Sequence, residues 1–336
     1  MRFVAATHNI MDGLFLKKLL RHYADVGSTV SHDFGILCLQ ENVTIIDKND
    51  SKLEQEQTLS VAKSHDLAPP TMFTSCAELI ANTLGKQYHV AAAASDDSRL
   101  ATVYNSKLFD LVGKPTIFKL PRLSSLPVWN KLFIKSGAVE QKHALVCDFR
   151  LRDDHYDNYD NGGGQIIRSI NFHLDAAGNN QHRIEQMSSL LHAMRMAPAR
   201  DLTDSKDAIC YAHVVSGDTN IFHLDNDTQR MHLQCAVDCL HPFIPTDHKS
   251  DLFARPTHFF SRANEPFPAH QLGVFLGKYF GMDRPQCYDV VLTNMKTVER
   301  GQIITANCSD HDLVYAVLQT EERHDVSLKT KRGKQT

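Results

Sequence analysis

Hydrophobic positions along the chain fall in short runs, several of them alternating with polar residues at period two. Phe3–Ile10, Phe34–Gln40, Leu100–Tyr104, Lys142–Leu151, Gln165–Leu174, His213–Ser216, Asp289–Thr293 and Leu313–Leu318 read as β-strands. Between them lie stretches with helical spacing. Leu16, Leu19, Leu20 and Tyr23 share one helical face, and Leu79, Ile80 and Leu84 run up to Gly85, a C-cap residue. In Gln181–Met196 the apolar face is Ile184, Met187, Leu190, Leu191 and Met194. A helix that packs on a sheet needs such a stripe, so it predicts core. No internal repeat is visible.

Composition narrows the class without naming a chemistry. The 336 residues are 42% hydrophobic and 22% charged, with 16 Gly and 12 Pro, which excludes disorder, collagen-like repeats and coiled coil. At roughly 100–200 residues per domain, length alone suggests about two domains, although a large sandwich can use more chain. Lys and Arg number 36 against 39 Asp and Glu, a net charge of −3. No basic coat for nucleic acid is present, and a locally positive groove remains compatible. No apolar run reaches the roughly 18–20 residues of a membrane span. The opening MRFVAATHNIMDGL lacks the pattern of a secretion signal, so the expectation is an intracellular protein, cytoplasmic or nuclear, with no membrane partner. The eight cysteines include no CxxC pair and read as buried free thiols; Cys235 and Cys239 lack the second pair that a zinc site needs.

Two polar segments read as plain structure. Arg152–Gly164 lacks the residue order of a calcium loop and of a phosphate-binding loop, and reads as a solvated hairpin connection. After Leu318 the chain turns polar and carries Lys329, Lys331, Arg332 and Lys334, a basic tail over 321–336 that is expected to be flexible.

Chemistry collects at the ends of the strands. One strand ends at Asn9, another at Glu41, and another at His173; Asp218 and Asn220 stand just past a fourth. Asp289 opens a strand, and Asp310 and His311 immediately precede another. In a mixed or antiparallel sheet, the end of one strand and the start of its neighbour share a rim, so these positions can meet. Carboxylate and amide oxygens suit a hard cation, Mg²⁺ or Mn²⁺, better than zinc, and nearby histidines suit a phosphate-like anion. Taken singly, each has a plainer reading: Asn9 as a helix cap, Glu41 as a solvated carboxylate, Gly217–Asn220 as a turn.

As a set, THN (Thr7–Asn9), LQE (Leu39–Glu41), FHLDAAG (Phe172–Gly178), SGDTN (Ser216–Asn220), YDVV (Tyr288–Val291) and SDH (Ser309–His311) resemble the motifs of the endonuclease/exonuclease/phosphatase superfamily, in its order. Arg99–Val112 is similar to that family's strand pair between the LQE and histidine motifs. The resemblance spans residues 7 to 311 and implies one α+β domain over 1–320. Its expected architecture is a four-layer α/β/β/α sandwich, two mostly antiparallel sheets flanked by helices, the DNase I-like fold. It also implies a hydrolase, a metal-dependent phosphodiesterase or nuclease. In that reading Glu41 binds Mg²⁺, Asn9 supports the metal and a phosphate oxygen, and Asp310 is a further metal-site carboxylate. Asp218 orients or deprotonates the attacking water beside Asn220, His311 contacts the scissile phosphate, Asp289 pairs with it, and His173 hydrogen-bonds the phosphate.

Departures from the family pattern also inform. His8 replaces an aromatic or bulky residue and, by alternation, faces away from Asn9, which reads as packing or surface. Ala176 stands where the abasic-site endonucleases carry asparagine, and the signatures of inositol 5-phosphatases and secreted sphingomyelinases are missing. HNIMDGL and GDTN are similar to the tyrosyl-DNA phosphodiesterase 2 branch; KHALVCDFRL, NFHL and HRIEQM are similar to the deadenylase and nocturnin branch. Phe259 and Phe260 lie where a family loop offers an aromatic surface to a base or leaving group; two core phenylalanines would look the same. The expected substrate is nucleic acid or a nucleic-acid adduct. The alternatives are a phosphorylated small molecule or lipid headgroup, or an inactive protein that binds through the same cleft.

Overall fold

The computed structural model describes residues 1–30, 32–46, 73–93, 99–125, 139–152, 166–176, 179–196, 211–221 and 288–320. In chain order the elements are β1 (Arg2–Asn9), α1 (Leu16–Thr29), β2 (Phe34–Gln40), β3 (Thr44–Ile46), β4 (Phe73–Ser75) and α2 (Cys76–Leu84). They continue with β5 (Tyr88–Ala91), β6 (Leu100–Asn105), β7 (Phe109–Lys119), β8 (His143–Leu151) and β9 (Ile166–His173). Then follow α3 (Asn180–Met196), β10 (Tyr211–Asp218), β11 (Asp289–Thr293), β12 (Lys296–Ile304) and β13 (Leu313–Gln319).

The alternation in β1 explains the layering. Phe3 and Ala5 point into the core between two sheets, while Val4 and Ala6 point to the opposite side, against Leu19, Leu20 and Tyr23 of α1. Six strands in the order β12-β13-β1-β2-β6-β5 form one sheet, and five in the order β11-β10-β9-β8-β7 form the other. β1 with β2, and β9 with β10, are parallel pairs; the remaining neighbours in both sheets are antiparallel. Helices α1 and α2 cover the outer face of the six-stranded sheet. On the other side, Met187 and Leu190 of α3 pack on Ile170, Phe172, Val215 and Val290. The result is the α/β/β/α sandwich that the motifs implied.

All eight strands expected from patterning are present. Those without a clear apolar signal are the edges β5, β7 and β12 and the separate β3–β4 pair. An edge strand is solvated along one side, so it needs no continuous apolar run. β7 also carries Gly113 and Pro115, and its register with β8 shifts between Val112 and Thr116, where the proline costs no ladder bond. The α2 boundaries follow from capping. Ser75 Oγ accepts from the Glu78 amide, Glu78 accepts in return from the Ser75 amide, and Gly85 closes the helix at φ +132°.

The α3 stripe requires a correction. Met187 and Leu190 are buried as expected, but Ile184 is only half-buried, and the same buried face carries Arg183 and Gln186. The sheet takes the C-terminal part of that face; the N-terminal part meets a loop whose backbone groups need polar partners. Cys38, Cys76, Cys147 and Cys308 are buried free thiols. Cys210, Cys235, Cys239 and Cys287, the loop after Arg152 and the 321–336 tail lie outside the described residues.

One glycine is fixed by close approach. A Cβ on Gly217 would lie 2.0 Å from the carbonyl oxygen of Phe172 on the neighbouring strand. Gly217→Ala is therefore expected to destabilise the fold by about 1–3 kcal/mol or more. Chemical denaturation of the variant checks this, and an unchanged midpoint would refute it.

Candidate active site

Inner-facing residues grow more polar along each central strand. In β1 the series is Phe3, Ala5, Thr7, Asn9; in β9 it is Ile167, Ser169, Asn171, His173; in β10 it is Ala212, Val214, Ser216, Asp218. Both parallel pairs end at the same rim. The antiparallel partners β11 and β13 begin there, with Asp289 opposite Asp218 and with Asp310 and His311 just before Leu313.

At that rim the two sheets are joined by Asp218, whose side chain is 1% exposed. Asn9 Nδ2 donates to Asp218 Oδ2 at 3.0 Å, and the Asn220 amide donates to Oδ1 at 2.8 Å. His173 Nε2 and His311 Nε2 stand 3.6 and 3.7 Å from the same Oδ2. Charged hydrogen bonds of this kind are worth about 1.5–3 kcal/mol each, which helps offset burial of the carboxylate. Asn9 is itself fixed, since its Oδ1 accepts from the Met11 amide at 3.1 Å. Ser309 Oγ donates to the Asn9 carbonyl at 2.8 Å and accepts from the His311 amide at 3.1 Å, so one serine links the two motifs.

The two histidines are held in opposite states. Burial opposes charge on His311, but Asp289, Asp218 and Asp310 outweigh it and hold the imidazolium well above its ordinary pKa. Its Nδ1 donates to Asp289 Oδ2 at 2.7 Å. For His173, burial and then Lys142 push the pKa down to about 3, against the pull of Asp218. Burial would raise the pKa of Asp218, yet His311, His173 and the bonds from Asn9 and Asn220 leave it lowered. At neutral pH the site therefore holds a carboxylate, an imidazolium and a neutral imidazole.

Ligand atoms of Asp218, Asp289 and His311 lie within 4.8 Å of one another. A doubly protonated imidazole has no lone pair for a metal, so this trio is better suited to holding a proton. The oxygen donors for a hard cation are on the neighbouring strand ends. Gln40 pairs with Asn9, so Glu41 flanks Asn9 on one side, and Asp310 flanks it on the other through β13. Both are half-buried, and His311 Nε2 is 4.0 Å from Asp310 Oδ1. This donor set fits Mg²⁺ or Mn²⁺.

The backbone is strained at the same rim. Among the described residues, the non-glycine positions with positive φ are Met11 (52°), Glu41 (55°), Arg99 (51°) and Asn220 (49°). Each adjoins a strand end of the site, and Asn42, next to Glu41, donates its amide to the Arg99 carbonyl at 2.9 Å. Such conformations cost on the order of 1 kcal/mol or more each, and their clustering marks a functional edge.

The structure thus brings Asn9, His173, Asp218, Asn220, Asp289, Asp310 and His311 together through direct contacts, with Glu41 beside them by register. Phe259 and Phe260 lie outside the described residues. His8 is buried, not at the surface: its Nδ1 is 2.9 Å from the Tyr23 hydroxyl. Sequence reading missed the polar bridge one layer below the site. Gln40 Nε2 donates to Thr7 Oγ1 (3.0 Å) and to Asn171 Oδ1 (2.8 Å), and Asn171 Nδ2 donates to the carbonyls of Leu39 and Ala101. The signal was present, since all three residues occupy inner-facing positions in otherwise apolar strands.

No protein-family model and no curated protein matches the sequence. Solved structures do match in fold. D. rerio TDP2 complexed with single-strand DNA product aligns at TM-score 0.54 and 12% identity, covering 95% of this chain and 99% of that one. A humanized D. rerio TDP2 aligns at 0.51 and 12%, with the same coverage. SmcL aligns at 0.51 and 11%, again covering 95% and 99%. The chain therefore shares the fold of these proteins, a DNase I-like sandwich.

The histidine environments predict an acid limb of stability. Burial, then His22, also lowers the pKa of His8. His8 and His173 stay neutral in the native state while their unfolded counterparts take up protons below about pH 6.5, so they make stability fall as pH drops below that value. His311, charged in the native state, works oppositely, its contribution being fully present below about pH 6.5 and lost as pH rises through its raised pKa. Asp218 adds a further loss below about pH 4, where its unfolded carboxyl protonates and the native one resists. Thermal melts between pH 4 and 8 in chelator should show this decline, and His8→Gln should make it shallower. An identical slope in that variant would remove His8 from the account.

Proposed function

We propose that this chain is a divalent-metal-dependent phosphoesterase that hydrolyses a phosphodiester bond in nucleic acid or a nucleic-acid adduct. The observation that carries the proposal is the pairing of ionised Asp218 with cationic His311 and neutral His173 around one carboxylate oxygen, beside hard-cation donors. In-line attack of water on a phosphodiester builds negative charge on the non-bridging and leaving oxygens. A site for that reaction needs a water-orienting acceptor and fixed positive charge, and this rim supplies both.

Each side chain has a role that follows from its state. Asp218 is held below the usual carboxylate range and is a weak base, so it serves best by accepting a hydrogen bond from the attacking water and aiming it. His311, kept charged and oriented by Asp289, presents Nε2–H to a phosphate oxygen. Neutral His173 presents a second donor without adding charge. Asn220 fixes one Asp218 oxygen through its amide, and Asn9 fixes the other. Glu41, with Asp310 and Asn9 alongside, would hold Mg²⁺ or Mn²⁺, whose charge would offset the negative charge that develops on a phosphate oxygen.

Nucleic acid is favoured over small phosphoesters for two reasons. The motifs resemble branches that act on nucleic-acid ends, and the fold is shared with D. rerio TDP2, whose structure holds a single-strand DNA product. Phe259 and Phe260 are proposed to stack on a base or leaving group.

The decisive assay offers purified protein oligonucleotides, 5′-tyrosyl DNA, poly(A) RNA, inositol phosphates and lipid-headgroup phosphodiesters, with Mg²⁺ or with chelator. Turnover is expected on a nucleic-acid substrate and is expected to vanish in chelator. Asp218→Asn and His311→Ala should each lower kcat by about 10²-fold or more while the protein remains folded. Asp289→Asn should also lower kcat, by releasing the charge on His311. Turnover restricted to small phosphoesters would redirect the substrate assignment, and substantial residual activity in Asp218→Asn would refute the role of that residue.

A further inference from the structure

Among the described residues, Arg183 is the largest side chain buried to within 2% of complete, yet it carries a fixed charge and stands outside the catalytic cluster. Its guanidinium is committed to a backbone segment. Nε donates to the Asp175 carbonyl (2.8 Å), Nη2 to the Ala176 carbonyl (2.8 Å) and Nη1 to Asn180 Oδ1 (2.9 Å). One helical turn on, Gln186 Oε1 accepts from the Asp175 amide at 2.9 Å, while its Nε2 donates to the Pro121 carbonyl at 2.8 Å. Two polar side chains of α3 therefore grip both the N–H and the C=O of a single residue, the second one past His173.

That grip continues into the site. The Leu174 amide donates to the Asp218 carbonyl at 2.9 Å, and Asn220 Nδ2 donates to the Leu174 carbonyl at 3.0 Å. Asn220 in turn donates its amide to the Asp218 carboxylate, from a left-handed conformation that asparagine tolerates better than other side-chain-bearing residues. The connection runs from α3 through the 174–176 segment to Asn220 and Asp218.

We propose that Arg183, with Gln186, is a positioning residue for the reaction: it fixes the 174–176 segment so that Asn220 is held against Asp218. It touches neither substrate nor metal. A lysine at this position keeps the charge but lacks the planar fork that reaches three acceptors at once. The catalytic part of this inference rests on the phosphoesterase reading; the geometric part does not.

The test compares Arg183→Lys, Gln186→Met, Asn220→Ala and the Arg183→Lys/Asn220→Ala double variant, with exposed Glu185→Lys on the same helix as control. Below the unfolding temperature, Arg183→Lys should lower kcat about tenfold or more, since small misplacements at a reacting centre cost that much, with KM changed little. Gln186→Met should do the same to a smaller extent, which covers the case in which Arg183→Lys does not fold. The double variant should be no slower than Asn220→Ala, because both changes act through one path. Independently of turnover, hydrogen exchange should quicken at the amides of Leu174, Asp175 and Asn220 in Arg183→Lys and Gln186→Met but not in Glu185→Lys. A lowered melting temperature with unchanged kcat and unchanged exchange at Asn220 would overturn the proposal, as would multiplicative effects in the double variant. If the wild-type protein hydrolyses none of the substrates, the functional reading fails and exchange alone decides the geometric part.

Discussion

A carboxylate buried between two sheets is the constraint around which the rest is arranged. An unpaired ionised carboxyl at the depth of Asp218 would take up a proton rather than remain charged. It stays ionised because Asn9 from one sheet, Asn220 from the loop beyond its own strand, and two histidines surround it. Each of those partners must be fixed before it can compensate the charge. Asn9 is fixed by the Met11 amide and by Ser309, His311 by Asp289, and Asn220 by Leu174. The site is thus a closed set of mutual constraints, in which removing one member leaves another buried group without its partner.

The topology makes such a set affordable in only one place. Parallel strands β1 and β2 deliver their ends to the rim where β9 and β10 also end, and the antiparallel β11 and β13 start there. At the opposite end the inner face is Phe3, Ile36, Phe109 and Leu318, which needs no partners. Between them Thr7, Gln40 and Asn171 join the sheets through bonds that satisfy carbonyls as well as side chains. Polarity rises stepwise from a dry base to a charged rim, so each polar layer rests on one that is already satisfied.

This gradient explains what could be read in advance. Central strands are buried on both faces, and their apolar runs stood out; the carboxylate, amide and histidine groups at their ends were conspicuous against those runs. Asn9, His173, Asp218, Asp289 and His311 were visible for that reason, and they meet at one rim because two parallel pairs end where the antiparallel β11 and β13 begin. The edges β5 and β12 were not visible, since solvation on one side lets a sequence such as KTVERGQII serve as a strand. Arg183 and Gln186 were hidden for a different reason. Helical periodicity identifies a face by its apolar members, and the part of α3 that meets backbone carbonyls is buried through polar ones. Pattern alone cannot tell a solvated arginine from one gripping a loop.

The opposite charge states of the two histidines show how little separates them in structure. Both stand just beyond hydrogen-bonding range of the same Asp218 oxygen, at 3.6 and 3.7 Å, and both are buried. What differs is the second neighbour. His311 has Asp289 at 2.7 Å on its far nitrogen, whereas His173 stands in the field of Lys142. Burial, reinforced by the Lys142 ammonium, keeps His173 neutral, whereas Asp289, with Asp218 and Asp310, outweighs the same burial at His311 and keeps it charged. A substrate phosphate entering this rim would meet a single fixed imidazolium rather than two. The division of labour between the histidines is therefore set by burial and by the charge that each meets on the side away from Asp218.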